Sequence, residues 1–187
     1  MTGRAGRYTL PPGYPHVLIS LDPGGKRRDG SSCGVAVWLA IAAGRSDLLA
    51  AGHVPAAEVG AFIESAVGVR LDGLPRAWIV EAPHIRGDRH AARRGVAALK
   101  KTIARLRRGR TGGSTWRTVR PSGWKGNVPK EIHHRRVLRV LAPAEVARAN
   151  LGALDPDAPG YQHDTADAVA LGAWALGRTG RGGVAGR

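Results

Sequence analysis

The sequence holds a single cysteine, Cys33, which excludes both a disulfide framework and a cysteine-rich zinc site. Cys33 opens the run Cys33-Gly-Val-Ala-Val-Trp-Leu-Ala40, where a small buried thiol is its expected role. No apolar stretch reaches the roughly 18 residues that span a bilayer. The start, Met-Thr-Gly-Arg-Ala-Gly-Arg, lacks the apolar core of a secretory signal. An intracellular, cytoplasmic protein with no membrane partner is therefore expected. No internal repeat is visible. Acidic residues are also scarce: 14 Asp and Glu stand against 29 Lys and Arg, a formal net charge of +15 over 187 residues.

That excess is not spread evenly. Residues 86–140 carry 17 Lys or Arg against only Asp88 and Glu131, while the rest of the chain is balanced at 12 and 12. A field concentrated in this way is the electrostatic footprint of a polyanion binder, nucleic acid being the commonest such partner. The alternatives are a solvated basic face kept for solubility, or an anionic membrane surface.

The length suits one domain with a real core. Residues 1–15, rich in Gly and Pro without periodicity, are expected to form a flexible arm, 16–177 the domain, and 178–187 a disordered basic tail. His16-Val-Leu-Ile-Ser-Leu-Asp22 reads as a short buried strand, stopped by Pro23-Gly-Gly25. A polar loop, 25–32, precedes strands at Cys33 to Ala40 and Leu48 to Val54, so three successive strands suggest an antiparallel meander. Pro55 suits the first turn of a helix reaching about Val67. Ala77-Trp-Ile-Val-Glu81-Ala-Pro83 reads as the fourth strand. A long helix follows over about 88–108, with Ala92, Val96, Leu99, Ile103 and Leu106 forming a narrow apolar seam among Arg and Lys. Thr115 to Arg120 reads as the fifth strand and Pro121 to Asn127 as a loop. Helices are expected at about 129–141, 144–150 and 164–176. The order predicts an α/β fold, a mixed five-stranded sheet with helices on both faces.

The acids stand at telling places. Asp22 ends a core strand, a costly position for a carboxylate unless it hydrogen-bonds, pairs or binds a metal; alternatively, it simply opens a turn before Pro-Gly. Glu81 closes the fourth strand just before Pro83. Asp164 and Asp167, three apart at the start of the last helix, project to one side of it. Asp164 is a plausible N-cap, but capping does not account for Asp167 within Ala166, Ala168, Val169, Ala170 and Leu171. Four carboxylates brought into one site must be relieved of their repulsion by protons or cations. All-oxygen ligands suit Mg²⁺ or Mn²⁺ better than zinc. Two such ions roughly 3.5 to 4 Å apart would equip the site to hydrolyse a phosphodiester.

Four segments, in order over about residues 16–177, together resemble the RuvC family of Holliday junction resolvases, within the RNase H-like superfamily. They are Leu-Asp22-Pro-Gly with the following Gly-Val-Ala-Val; Ile-Val-Glu81-Ala-Pro; Arg-Pro-Ser-Gly-Trp-Lys-Gly-Asn with the Lys and His beyond it; and Asp164-Thr-Ala-Asp167-Ala-Val-Ala. The chain departs from the family pattern in the longer loop Lys26 to Ser32 and in the long basic helix. The resemblance implies an RNase H-like fold and a homodimer that binds four-way DNA junctions and nicks two opposing strands with Mg²⁺, Mn²⁺ substituting. Two ions per site, no nucleotide cofactor, and Asp22, Glu81, Asp164 and Asp167 as catalytic, metal-binding residues are implied with it.

Nucleic-acid contacts are expected from Arg93, Arg94, Lys100, Lys101 and Arg105 on the long helix. Trp124 is a candidate to stack on a base and Lys125 to meet a phosphate; alternatively, Trp124 packs over a helix start and Lys125 is solvated. Lys130, His133, His134, Arg135 and Arg136 read as phosphate contacts or a solvated face rather than metal ligands. His163 is a candidate proton carrier beside the metal site or a plain loop histidine. Other readings of the chain are an RNase H-like nuclease acting on RNA or an RNA–DNA hybrid, a branched-DNA-binding protein that does not cut, and an actin-like kinase or ATPase. The last would need a second nucleotide-gripping lobe.

Overall fold

The computed structural model describes residues 14–23, 32–82, 97, 101, 104, 114–126, 128–149, 155, 157 and 159–179. The expected arm over 1–13, the loop 24–31, most of the long helix with Arg93, Arg94, Lys100 and Arg105, and residues 180–187 lie outside them.

Five strands form one sheet: β1 His16–Asp22, β2 Ser32–Ala42, β3 Arg45–Pro55, β4 Arg76–Glu81 and β5 Thr115–Val119. Their order is β3-β2-β1-β4-β5. β2 runs antiparallel to β1 and β3, while β4 is parallel to β1 and β5 to β4. With helices on both faces, this is the mixed sheet of an RNase H-like fold. Among the described residues no helix is long and apolar enough to cross a membrane.

β1 is central and buried at all seven positions, and strand alternation sorts its side chains between two cores. Val17, Ile19 and Leu21 pack with Val35, Val37, Trp78 and Val80 under α1 (Val59–Leu71), which contributes Val59, Ile63 and Val67. Leu18 packs on the other face with Trp38, Ala77, Ile79 and the last helix, α5 (His163–Ala175). By the same parity, Asp22 on β1 and Glu81 on β4 belong to the α5 face. α5 lies directly on the sheet because small residues line it, among them Ala166, Ala168, Ala170 and Ala173. At Gly172 a methyl group would stand 2.1 Å from Trp38 Nε1 and 2.7 Å from Ser20 Oγ, so only glycine permits this approach.

Several boundaries differ from the sequence reading. Pro55 closes β3 instead of opening α1; its carbonyl accepts a turn bond from Glu58 N at 2.9 Å, and the helix starts at Val59. Proline is tolerated there because β3 is an edge strand, where a missing N–H costs little. The segment expected as a loop after β5 contains a short helix, α2 (Pro121–Trp124), with Pro121 in its first turn and Lys125 N bonded to Pro121 O at 3.0 Å. α3 (Lys130–Leu138) and α4 (Pro143–Arg148) follow.

Arg178, assigned above to a disordered tail, is built into the fold. Its guanidinium forks onto Glu145, at 2.6 Å to Oε1 and 2.7 Å to Oε2, and donates to Val140 O at 2.6 Å. Glu145 also accepts from Leu48 N and Ala142 N, each at 2.7 Å. One carboxylate thus ties β3, the start of α4 and the end of α5 together. Burial alone would raise the Glu145 pKa, but the bonds from Arg178, Ala142 and Leu48 hold it below the usual range. Its contribution is therefore present above the ordinary carboxylate range and lost as pH falls through the lowered value. Glu145→Ala is expected to destabilise the fold by about 3 kcal/mol, the scale for breaking a buried pair and leaving one charge behind, as read by urea denaturation at neutral pH.

Candidate functional site

β1 and β4 are parallel neighbours, with Leu21 opposite Val80, so Asp22 and Glu81 leave the sheet at the same end. Each is 7% exposed. β2 presents Gly34 opposite Asp22, and the first turn of α5 rests on Gly34, bringing Asp164 and Asp167 over the strand ends. Asp167 is fully buried and Asp164 half-buried. Each of the other three acids influences Asp22, whose carboxyl is held well above the usual range, first by burial and then by Glu81, Asp167 and Asp164, against the pull of Lys125.

Their partners differ sharply. Asp167 Oδ1 accepts from His134 Nε2 at 2.9 Å, and Oδ2 meets Lys130 Nζ at 2.5 Å and Lys125 Nζ at 3.3 Å. Burial would raise the Asp167 pKa, but His134 and the two ammoniums outweigh it and hold the carboxyl well below the ordinary range. Glu81 accepts from Trp124 Nε1 at 2.9 Å and pairs with Lys125 at 3.0 Å; burial still raises its pKa against the pull of Lys125. Asp164 Oδ2 stands 3.7 Å from His53 Nε2. Among the described residues nothing donates a hydrogen bond to Asp22. Charge in this site is therefore lopsided among the described residues: three side chains donate to Asp167, whereas Asp22 feels Lys125 without a hydrogen bond from it.

The structure corrects several sequence expectations. Gln162, not Asp164, is the N-cap residue of α5, and Asp164 sits in the first turn. Trp124 is 2% exposed, its ring covered by the edge of His133 at 5.1 Å, so it has no free face for a base and serves to hold Glu81. Lys125 and Lys130 turn inward to the acids rather than outward to a phosphate. His133 and His134 are buried rather than on a solvated face; burial pushes the His133 imidazole down to about 4. Arg135 is exposed and pairs with Asp157 at 2.8 Å; Arg136 and Lys101 are exposed. His163 stacks obliquely on Tyr161, ring centroids 4.5 Å apart. Cys33 is buried as expected, its thiol pushed up to about 12 by burial and by Asp22 and Asp164.

Two residues near the acids escaped the sequence reading. His53 reaches Asp164 because the β2–β3 register sets it opposite Gly34. Tyr161 reaches His134 from the turn before α5. A partial signal existed for α3, where Lys130 and His134 are four apart and hence on one helical face.

The donor set of Asp22, Glu81, Asp164 and Asp167 is all oxygen and suits a hard divalent cation. The buried Asp22 carboxyl, on which the other acids outweigh Lys125, is the observation that asks for one. Among the described residues no three His, Cys, Asp or Glu side chains already stand close enough to hold an ion; Lys125 instead bridges Glu81 and Asp167.

Fold and site together define an α/β domain of RNase H-like fold with Asp22 and Glu81 buried at one end of its central strands. No protein-family model and no curated protein matches the chain. Among solved structures it is similar to T. thermophilus RuvC in complex with Holliday junction substrate, at 21% identity over 86% of this chain and 91% of that one, with a TM-score of 0.43.

Proposed function

We propose that this protein is a metal-dependent, structure-specific DNA endonuclease that resolves four-way junctions by paired nicks. The observation that carries the reading is the set Asp22, Glu81, Asp164 and Asp167, in which the buried Asp22 feels the charges of the other three acids more than the pull of Lys125. The motif resemblance and the net charge of +15 support it. Opposing nicks need two sites, so the working form is proposed to be a homodimer.

Mg²⁺, with Mn²⁺ as a substitute, would be held by these four carboxylates, Lys125 withdrawing from between Glu81 and Asp167. When bound, two such ions activate water and stabilise the leaving oxygen of a phosphodiester. The chain's own residues prepare the site. Trp124 fixes one oxygen of Glu81, and His134 fixes one oxygen of Asp167. Lys125 and Lys130 keep Asp167 ionised before loading, and both would be displaced toward phosphate charge when the ions bind. Exposed Lys101, Arg135 and Arg136 are proposed to contact the DNA backbone, with Arg93, Arg94, Lys100 and Arg105 of the same basic segment.

The test is cleavage of a labelled four-way DNA junction beside linear duplex and an RNA–DNA hybrid, in Mg²⁺ or EDTA. Paired nicks confined to the junction and absent in EDTA are expected. Cleavage of the hybrid alone would replace this reading with an RNase H-like activity, and tight junction binding without a cut would replace it with an architectural role.

A further inference from the structure

Asp167 is the most heavily engaged acid of the site, and the group on its Oδ1 is itself held from behind. The His134 ring is 1% exposed at its side chain, with Nε2 toward Asp167 at 2.9 Å and Nδ1 in hydrogen-bond contact with the Tyr161 hydroxyl. The Tyr161 and His134 rings meet edge-on with centroids 5.6 Å apart. On its other side Tyr161 packs against His163, the residue before Asp164. A single tyrosine therefore touches the group that holds Asp167 and the residue that precedes Asp164, although it lies outside the helix that carries both acids.

Proton placement follows from the donors and acceptors. An ionised Asp167 only accepts, so Nε2 carries a proton; above the ordinary imidazole range that leaves Nδ1 as an acceptor. The phenol, protonated at neutral pH, supplies the donor for it. Without that hydroxyl the buried Nδ1 is an orphaned acceptor, and the ring loses the contact that sets its tilt.

We propose that Tyr161 is a positioning residue of the acidic site, acting through His134: it holds the imidazole as the Nε2–H tautomer aimed at Asp167 Oδ1, so that Oδ2, where Lys130 and Lys125 now sit, is the oxygen a divalent cation would take in their place. Supports of this kind, one hydrogen bond behind a ligand, carry about 10- to 100-fold in metal affinity. The inference rests on the proposed metal-dependent reading for its consequence, but the Tyr161 to His134 link can be read without it.

The test uses Tyr161→Phe, which keeps the ring against His134 and His163 and removes only the hydroxyl. In metal-free protein at about pH 8, above the ordinary imidazole range, ¹⁵N–¹H correlation of the His134 ring is expected to show one Nε2–H tautomer, with averaging or a shift in the variant. Mn²⁺ affinity by titration calorimetry is expected to fall about 10- to 100-fold. His134→Gln supplies the control, because its amide replaces Nε2–H and leaves nothing at Nδ1; in that background Tyr161→Phe should have no further effect. An imidazolium or an Nδ1–H tautomer in the wild type would overturn the proposal. So would an unchanged ring spectrum in Tyr161→Phe, or an equal loss of affinity in the His134→Gln background. If neither protein binds Mn²⁺, the metal-dependent reading fails, and the ring spectra alone still decide whether Tyr161 holds His134.

Discussion

Asp22→Asn is expected to lower junction cleavage by more than about a hundredfold, beyond the loss typical of an outer-shell partner, while making the metal-free protein more stable at neutral pH. The two effects have one cause. Asp22 is buried with three other acids and no donor among the described residues, so its charged form is disfavoured in the fold. A carboxyl whose folded pKa lies above its unfolded value contributes fully below the unfolded value, and that contribution is lost as pH rises through the folded one. Asparagine keeps the shape and removes the charge. In EDTA, urea denaturation at about pH 5 and about pH 8 should show the variant gaining on the wild type at the higher pH. Added Mg²⁺ should then stabilise the wild type more than the variant, since a ligand stabilises the state that binds it. Undiminished cleavage by Asp22→Asn would remove it from the catalytic set, and a less stable variant at about pH 8 would show that its charge is compensated.

Gly34→Ala is the second large effect. A methyl group at Gly34 would stand 1.9 Å from the carbonyl oxygen of Asp164, 2.1 Å from its carbon and 2.6 Å from Thr165 N. These are backbone atoms of the first turn of α5, which cannot rotate aside as a side-chain tip can. The helix start must lift, taking Asp164 and Asp167 away from Asp22 and Glu81. Stability is expected to fall by at least about 3 kcal/mol, the upper end of ordinary overpacking, and Mn²⁺ binding to fall with it. Gly73→Ala is the matched control, since a methyl group there meets nothing within 4 Å. Thermal melts and Mn²⁺ titration of the two variants together would settle it: equal behaviour would mean that α5 does not depend on close approach at Gly34.

The acids themselves were legible because their signal is local. Asp22 and Glu81 each interrupt an apolar run at a point where proline follows, but that both leave the same face of the sheet was decided by the β1–β4 register. Asp167 stood out as a charge inside an apolar helix. Pro55 was misread because the same residue suits a helix start and an edge-strand end, and only pairing to β2 decides between them.

Trp124 and the groups around it were not legible in the same way. A tryptophan and a lysine in a glycine-rich basic segment carry no local mark of whether they face DNA or the interior. Trp124 reaches Glu81 across 43 residues of chain, and Lys130 reaches Asp167 across 37. His53 meets Asp164 only because β3 pairs with β2 in one register.

From the sequence alone follow the α/β architecture, the strand ends that carry acids and the segregation of positive charge, because each is written in periodicity and composition over a few residues. Tertiary structure decided which cations and donors engage which acid, bringing three donors to Asp167 and, among the described residues, none to Asp22. That division depends on distances of a few ångströms between segments far apart in the chain, and electrostatics in a buried site turns on those distances rather than on which residues are present.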